Sequence, residues 1–400
     1  MIESGEYDGV VLGENPTGLW AAKQMITRGF KMLVICTGTS GLNHFLPKPV
    51  ADDFKIKSAR TVRDLQPLQI LTPAYRFRAF QNEEQFKQEF EFQFGKPLIF
   101  SERPDPSFLR GLAYWVRGAE SGPVFAEEFS VLYSKFFETI YYDEEPGFVT
   151  QSLLQELEDL GAHIIRPGNL QRIFVDRKNF VGVQLANNTK MISVKQAFIN
   201  THLDFLNSFF SEPMQYVSQP LGWTYQIQFE CAVDALPVGL TDRMIYVEEN
   251  APILEIFQER PGFFRLKTTL SFQDHTLDRT EQRRLATRML KVCEGIIPDL
   301  EYNLKKITPD LRDPERAISV DLPAMYPFQD LRRVPSHLLT FASGGGAAPA
   351  SPAQGMWVTH EEAIPKETLW GGFEAAKSAL KAIDLLIAKT AASESNAPQK

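Results

Sequence analysis

Residues 7–36 read YDGVVLGENPTGLWAAKQMITRGFKMLVIC. An apolar run closes at Leu12, a turn spans Gly13 to Gly18, a helical stretch runs from Leu19 to Arg28 and stops at Gly29, and a second apolar run covers Met32 to Ile35. Strand, glycine turn, helix and strand in this order outline a dinucleotide-binding βαβ unit. Its three glycines have separate tasks: a tight turn, close approach of backbone to a pyrophosphate, and close packing of helix on strand. Gly13 and Gly18 fill the first and third places, and Asn15 takes the second. Asn tolerates positive φ, so it is expected to complete the turn, with its side chain projecting toward the phosphate position. The pattern also wants an acid for the ribose hydroxyls about 20 residues further on. The equivalent position is Cys36, whose thiol is a weak donor and a weak acceptor.

Over its 400 residues the composition is that of an ordinary globular protein, 44% hydrophobic and 23% charged, with chain enough for two or three domains or two interleaved ones. A net charge of −8 leaves no basic footprint for nucleic acid. Cys36, Cys231 and Cys293 are too few and too far apart for a disulfide framework or metal cluster. The start lacks the charged-then-apolar pattern of a secretion signal, and no apolar run is long enough to span a membrane. A cytoplasmic setting is the default expectation.

Further along, Phe90 to Phe94 (FEFQF) alternates and reads as a half-buried strand. Glu127 to Tyr142 reads as a helix with Phe129, Leu132, Tyr133, Phe136, Phe137 and Ile140 on one face. Phe148 to Leu160 reads as a helix closed by Gly161. Short strands follow at Leu170–Asp176, Phe180–Leu185 and Met191–Val194, then the apolar run Ala197 to Ile199. Trp223 to Cys231 alternates cleanly, with further strands near 244–247, 253–258 and 263–270 and a helix over 281–296. The last block is an apolar strand at 338–342, the glycines Gly344 to Gly346, and a helix from Phe373 to about Ala388.

Four separated segments line up with one superfamily: 13–35, 147–164, the meander GNLQRIFVDRKNFVGVQLANNTKMISVKQAFINT at 168–201, and the end block 338–383. On these the chain resembles the FAD-dependent oxidoreductases of the phytoene desaturase and amine oxidase type, a group that includes the Rab GDP-dissociation inhibitors. The resemblance implies an α/β fold: a Rossmann-like FAD/NAD(P)-binding domain, a parallel sheet with a β-meander, interleaved with an α+β substrate or cap domain. The first would use residues 1–60, 147–202 and 336–389, and the second 61–146 and 203–335. Residues 390–400 would form a disordered tail. The candidate cofactor-binding residues are then Gly13, Asn15, Thr17, Gly18 and Cys36, with Gly344, Gly345 and Gly372 from the end block. The family places an acid after the late glycine, whereas Ser343-Gly344-Gly345 contains none. Middle glycine, ribose acid and late acid are thus all altered. A lost hydrogen bond to a charged group costs about 1.5–3 kcal/mol, so two lost carboxylates weaken FAD binding by roughly a hundredfold or more.

No nucleophile triad or metal motif stands out, and no catalytic residue is assigned. The six His are scattered, His360-Glu361-Glu362 lacks a second His at helical spacing, and Lys267 on an alternating strand reads equally as an outward residue. With a flavin the hard chemistry is the cofactor's. Two classes remain open. One is an FAD-dependent oxidoreductase acting on an apolar or amine small molecule, its channel lined by the aromatic stretch 75–148 and the Trp223 strand. The other is a non-catalytic relative that has lost the flavin and binds a small apolar molecule or a protein partner. Thirty Phe serve core packing by default in either case.

Overall fold

The computed structural model describes residues 7–38, 45–54, 68–80, 82–100, 102, 104–117, 124–141, 146–186, 188–201, 203–211, 222–237, 239–271, 279–308, 353–359 and 371–395. The chain begins β1 (Tyr7–Leu12), α1 (Pro16–Thr27), β2 (Met32–Ile35), β3 (Phe45–Pro47), α2 (Lys48–Asp53), β4 (Leu68–Leu71) and β5 (Arg76–Ala79). Helices α3 (Glu83–Phe94), α4 (Pro106–Arg117) and α5 (Phe129–Phe137) follow, then β6 (Thr139–Tyr141), α6 (Pro146–Asp159), β7 (His163–Ile165), β8 (Leu170–Asp176), β9 (Asn179–Leu185) and β10 (Ile192–Ile199). Next are α7 (Leu203–Asn207), β11 (Gly222–Cys231), β12 (Arg243–Tyr246), β13 (Leu254–Arg260), β14 (Phe263–Ser271), α8 (Arg279–Ile296), α9 (Leu300–Asn303), β15 (Leu304–Thr308), β16 (Met356–Val358) and α10 (Gly371–Ser395). They divide into two compact units: Met1–Val62 with Thr139–Gln219 and Pro335–Lys400, and Arg63–Glu138 with Pro220–Val334.

The first unit is a sheet in the order β7-β2-β1-β10, all parallel, with β16 parallel to β10 on its far side. The fold is α/β, with the expected parallel sheet. All β1 residues but Asp8 are buried, and the last three side chains of the strand alternate between two cores. Val11 points, with Met32, Val34 and Phe198, into a layer of α1, α6 and α10. Val10 and Leu12 point, with Leu33, Ile35, Ala197 and Ile199, onto the meander residues Ile173, Phe180, Val183 and Leu185. Burial on both faces is why this parallel sheet reads as continuous apolar runs. Helix α1 lies alongside α10, with Trp20 and Phe373 ring centroids 4.7 Å apart and Arg28 bonded to Asp384 at 2.6 Å.

The strand readings at 191–194 and 197–199 belong to one strand. Ile192 and Ser193 of β10 pair antiparallel with β9, and Val194 to Ile199 run parallel to β1. One strand therefore closes the meander and re-enters the sheet. It ends at Ile199, opposite Leu12, so residues 200 and 13 meet at the carboxyl edge.

The second unit is a seven-stranded sheet in the order β15-β11-β14-β13-β12-β4-β5. One face is covered by α8. Ile227, Phe229, Cys231, Leu254, Ile256, Phe264 and Leu266 pack there with Met289, Cys293 and Ile296. Helices α3 to α5 hold a Phe-rich core: Phe77 lies 5.0 Å from Phe86 and 4.8 Å from Phe108, edge to face, and Phe86 lies 5.5 Å from Phe136.

Three sequence readings are corrected here. FEFQF is the end of α3 and not a strand. Its buried rings follow a four-residue step, Phe86 and Phe90, while Phe92 is 77% exposed. Asn82 caps this helix through Gln85 N, and Gly95 ends it. The helix read over 127–142 stops at Phe137, and Ile140 lies in β6, paired with Leu46. Much of the aromatic stretch meant to line a channel is core: Phe77, Phe86, Phe108, Phe129 and Phe136 are fully buried against one another, while Phe92, Phe100 and Phe125 are exposed, and the Ile227–Phe229 face lies under α8. Helix α10 also runs to Ser395, past Thr390. The strand at 338–342 and the glycines Gly344 to Gly346 lie outside the described residues.

Candidate functional site

In an open α/β sheet the ligand crevice lies outside the carboxyl ends of the strands, where the strand order reverses. Here that point is the edge where β1 and β10 end and α1 begins. The turn keeps the expected shape at its first glycine. Gly13 has φ +111°, and a Cβ on it would lie 2.5 Å from Asn200 O, so only glycine fits.

Asn15 behaves differently from expectation. Its backbone is extended, φ −64° and ψ 137°, and it serves as the N-cap of α1. Its side chain does not project outward. Oδ1 accepts from Thr17 N at 3.2 Å and from Thr17 Oγ1 at 3.0 Å. An extended N-cap of this type needs no positive φ, which is why Asn replaces glycine without strain.

The residue that organises the turn comes from the other end of the sheet. Asn200, fully buried, lays its carboxamide across the glycines. Nδ2 donates to Gly13 O at 3.2 Å and to Asn15 O at 2.7 Å. Oδ1 accepts from Gly18 N at 3.1 Å and lies 3.2 Å from Thr359 Oγ1. Carbonyls on one side and an amide on the other fix which end is oxygen. Thr359, just after β16, also receives the Thr17 hydroxyl on its carbonyl at 3.3 Å. The carboxamide's two donors and its acceptor are therefore all engaged.

The absent side chain at Gly18 makes room for this group. A Cβ there would stand 2.2 Å from Asn200 Cγ. The third glycine thus admits a side chain, where the intact pattern uses it for helix–strand packing.

Glu14 supplies a second internal tie. It is 5% exposed, and its Oε2 accepts from Thr37 N at 2.7 Å and lies 3.2 Å from Thr37 Oγ1. That hydroxyl lies 3.2 Å from Thr201 Oγ1. A carboxylate therefore does stand beside the end of β2, contributed by the turn and already bonded there. Cys36, 6% exposed, has its thiol pushed up to about 12 by burial and by the Glu14 charge, against a smaller opposing effect of Arg166.

These residues do not fit a flavin dinucleotide held in the manner of the fold. Its pyrophosphate takes amide hydrogens at the N-terminus of the first helix. In residues 16–18 Pro16 has no amide hydrogen, Thr17 N is capped by Asn15 and Gly18 N by Asn200. The nearby Glu14 carboxylate has the same sign as a pyrophosphate, and Cys36 offers the ribose no strong acceptor.

The structure brings Gly13, Asn15, Thr17, Gly18 and Cys36 to one edge of the first unit. Gly372 is buried in the first turn of α10, whose Phe373 packs on Trp20 of α1. Gly344 and Gly345 lie outside the described residues. Sequence reasoning passed over Asn200, Glu14 and Thr359. One signal was available for Asn200, a polar residue directly after the apolar run Ala197 to Ile199.

Of the six His, His163 alone is described; its Nδ1 lies 2.6 Å from Tyr7 Oη on β1. Lys267 pairs across strands with Glu255 at 3.5 Å. Among the described residues no group of His, Cys, Asp and Glu has the makings of a metal site, and no helix is long and apolar enough to cross a membrane.

No protein-family model matches the chain, and no curated protein matches it. Solved structures do. An oxidoreductase from Methanosarcina mazei is similar over 92% of this chain and 99% of its own, at 13% identity and TM-score 0.54. A geranylgeranyl bacteriochlorophyll reductase-like protein from Thermoplasma acidophilum is similar over 76% of this chain, at 13% identity and TM-score 0.43; the chain spans 65% of its length. A Rab GDI from Plasmodium falciparum is similar over 76% of this chain and 88% of its own, at 9% identity and TM-score 0.48. At this identity the likeness is one of fold alone: the chain shares the fold of the Methanosarcina mazei oxidoreductase.

Proposed function

We propose that this chain is a non-catalytic member of the flavoprotein fold, in which the dinucleotide turn has become a structural joint and the protein serves as a binding scaffold for a small apolar molecule or a protein partner. The observation that carries this reading is the Asn200 carboxamide seated across Gly13, Asn15 and Gly18. A flavin's polar anchors are replaced by bonds the chain makes to itself. The burial of Phe77, Phe86, Phe108, Phe129 and Phe136 as core adds to it, because these members of the stretch assigned to an apolar substrate channel have another task.

The competing reading, an FAD-dependent oxidoreductase acting on an apolar or amine molecule, is favoured by the preserved turn at Gly13, φ +111°, within a parallel βαβ unit. The visible spectrum of the purified protein separates the two. The scaffold reading expects a colourless preparation that takes up no FAD when titrated. A yellow protein, or stoichiometric uptake of added FAD, overturns it.

A further inference from the structure

We propose that the outer face of the β8-β9-β10 meander docks on an anionic lipid surface, with Arg172, Arg177, Lys178 and Lys190 meeting the headgroup phosphates and Phe174 and Met191 set between them. This face is distinct from the turn at Gly13, and the proposal stands whether or not that turn holds a flavin.

Charge is spread unevenly along the chain. Residues 166–195 carry six basic residues against one acid, Asp176, a net of +5 within a chain of net charge −8. The inward side chains of the meander, Ile173, Val183, Ile192 and Val194 among them, belong to the core beneath it. Alternate positions face outward: Arg172, Ser193 and Lys195 are exposed, as are Arg177, Lys178 and Lys190 in the turns. Contacts join these positions into one surface. The Arg172 guanidinium lies 5.3 Å from the Phe174 ring centroid. Phe174 pairs with Gly182, and Gly182 with Ser193. Met191, 44% exposed, lies across Gly182, its Cγ 3.2 Å from where a Cβ would stand. Half-buried Phe174 and exposed Met191 thus form an apolar spot among cations. Lys195 is bonded to Asp8 at 3.0 Å, but among the described residues Arg172, Arg177, Lys178 and Lys190 have no acidic partner within ion-pairing distance.

The turn between β8 and β9 is an independent observation. Arg177 and Lys178 have φ of +49° and +67°, a conformation for which two-residue hairpin turns favour Asn-Gly. The chain holds two cations there instead, steadied by Gln354 N on Lys178 O at 2.7 Å. Backbone strain kept in a turn whose side chains stand in solvent points to a use for those side chains. Arg172 lies on β8, Arg177 and Lys178 at one end of the meander and Lys190 at the other. Charges spread this widely suit an array of mobile phosphates better than a single carboxylate, and an apolar spot between them suits the boundary of headgroups and acyl chains.

The test is flotation of the full chain with phosphatidylcholine vesicles, with and without an equal part of phosphatidylserine. The native chain is expected to bind the phosphatidylserine vesicles, to bind phosphatidylcholine alone poorly, and to be released as salt rises. Arg177→Asn with Lys178→Gly gives the turn its relaxed residues. This variant is expected to melt no lower than the native chain and to lose roughly tenfold or more in vesicle binding. Lys87→Gln with Lys96→Gln makes the same change of charge at half-exposed positions of the second unit, and is expected to bind as the native chain does. Absent or phosphatidylserine-independent binding overturns the proposal, as do equal losses in the two double variants. A relaxed-turn variant that keeps native affinity for vesicles overturns it too, and so does binding to a poly-glutamate peptide in place of vesicles.

Discussion

Gly18 and Asn200 share a space that admits one side chain. A methyl group on Gly18 would lie 2.2 Å from Asn200 Cγ, and the two residues, 182 positions apart, are joined by Gly18 N and Asn200 Oδ1 at 3.1 Å. The glycine is kept free of a side chain by the partner that fills its place.

A double-mutant cycle tests this pairing. Gly18→Ala alone forces overpacking and is expected to cost about 1–3 kcal/mol or more. Asn200→Ala alone strips partners from Gly13 O, Asn15 O and Gly18 N and is expected to cost about 2–4 kcal/mol, each unsatisfied group contributing about 1–3 kcal/mol before water returns. In the Asn200→Ala background Gly18→Ala should be neutral or stabilising, because Ala exceeds Gly by about 1 kcal/mol in a helix. Urea unfolding of the four proteins measures the coupling. Strictly additive costs would show that the two side chains do not compete.

The phase of α3 sets its four phenylalanines apart. Phe86→Ala is expected to destabilise by about 3–5 kcal/mol, as a large ring lost from a packed core does. Phe92→Ala, at a position 77% exposed, should change stability by less than about 0.5 kcal/mol. A strand over 90–94 would place Phe90, Phe92 and Phe94 on one face, so an equal cost at Phe90 and Phe92 would count against the helix.

Cys36 makes the alkaline side of the stability curve informative. Its thiol is pushed up to about 12 in the folded chain, from an ordinary value of 9.0. The folded state holds this proton more tightly than the unfolded one. The contribution is therefore whole below pH about 9 and is lost as pH rises toward about 12. Cys36→Ala should flatten the decline in denaturant midpoint over that window. Glu14→Gln, which removes the neighbouring negative charge, should lower the thiol pKa and speed alkylation by iodoacetamide at pH 9. An unchanged alkylation profile would remove Glu14 from the account.

Lys23 tests the joint between α1, α2 and α6. Its ammonium, on a side chain 10% exposed, bonds the Glu156 carboxylate and the Asp53 carbonyl and lies 4.7 Å from the Phe54 ring centroid. Lys23→Ala should cost about 1–3 kcal/mol, since it removes the cation from the Glu156 carboxylate and the donor from the part-buried Asp53 carbonyl. Glu156→Gln should cost less, because Glu156 is 31% exposed and its amide still accepts. Thermal melts of the two variants rank them, and a reversed order would place the main contribution in the ion pair.

Much of the first unit was legible because its signals are local. The apolar run to Leu12, the stop at Gly29, and the polar turns of the meander each act within a few residues. The same held for Trp223 to Cys231, where Tyr225, Ile227, Phe229 and Cys231 are buried as their alternation requires. FEFQF misled because three Phe at two-residue steps mimic a strand, and the deciding ring, Phe86, lies just outside that window. Asn15 misled because a residue that permits positive φ also serves as an N-cap, and the choice depends on what faces the turn.

The sequence by itself determined the βαβ unit, the meander and the residue types at the turn, since periodicity and turn chemistry are properties of neighbouring residues. It also exposed the missing ribose acid at Cys36. Only the tertiary structure decided what the turn does with its polar groups. That outcome depends on β10 ending beside β1, which brings Asn200 onto Gly13 and Gly18 and Thr359 onto Asn200. The balance between holding a ligand and bonding to itself is struck among residues nearly two hundred positions or more apart, where no local pattern reaches.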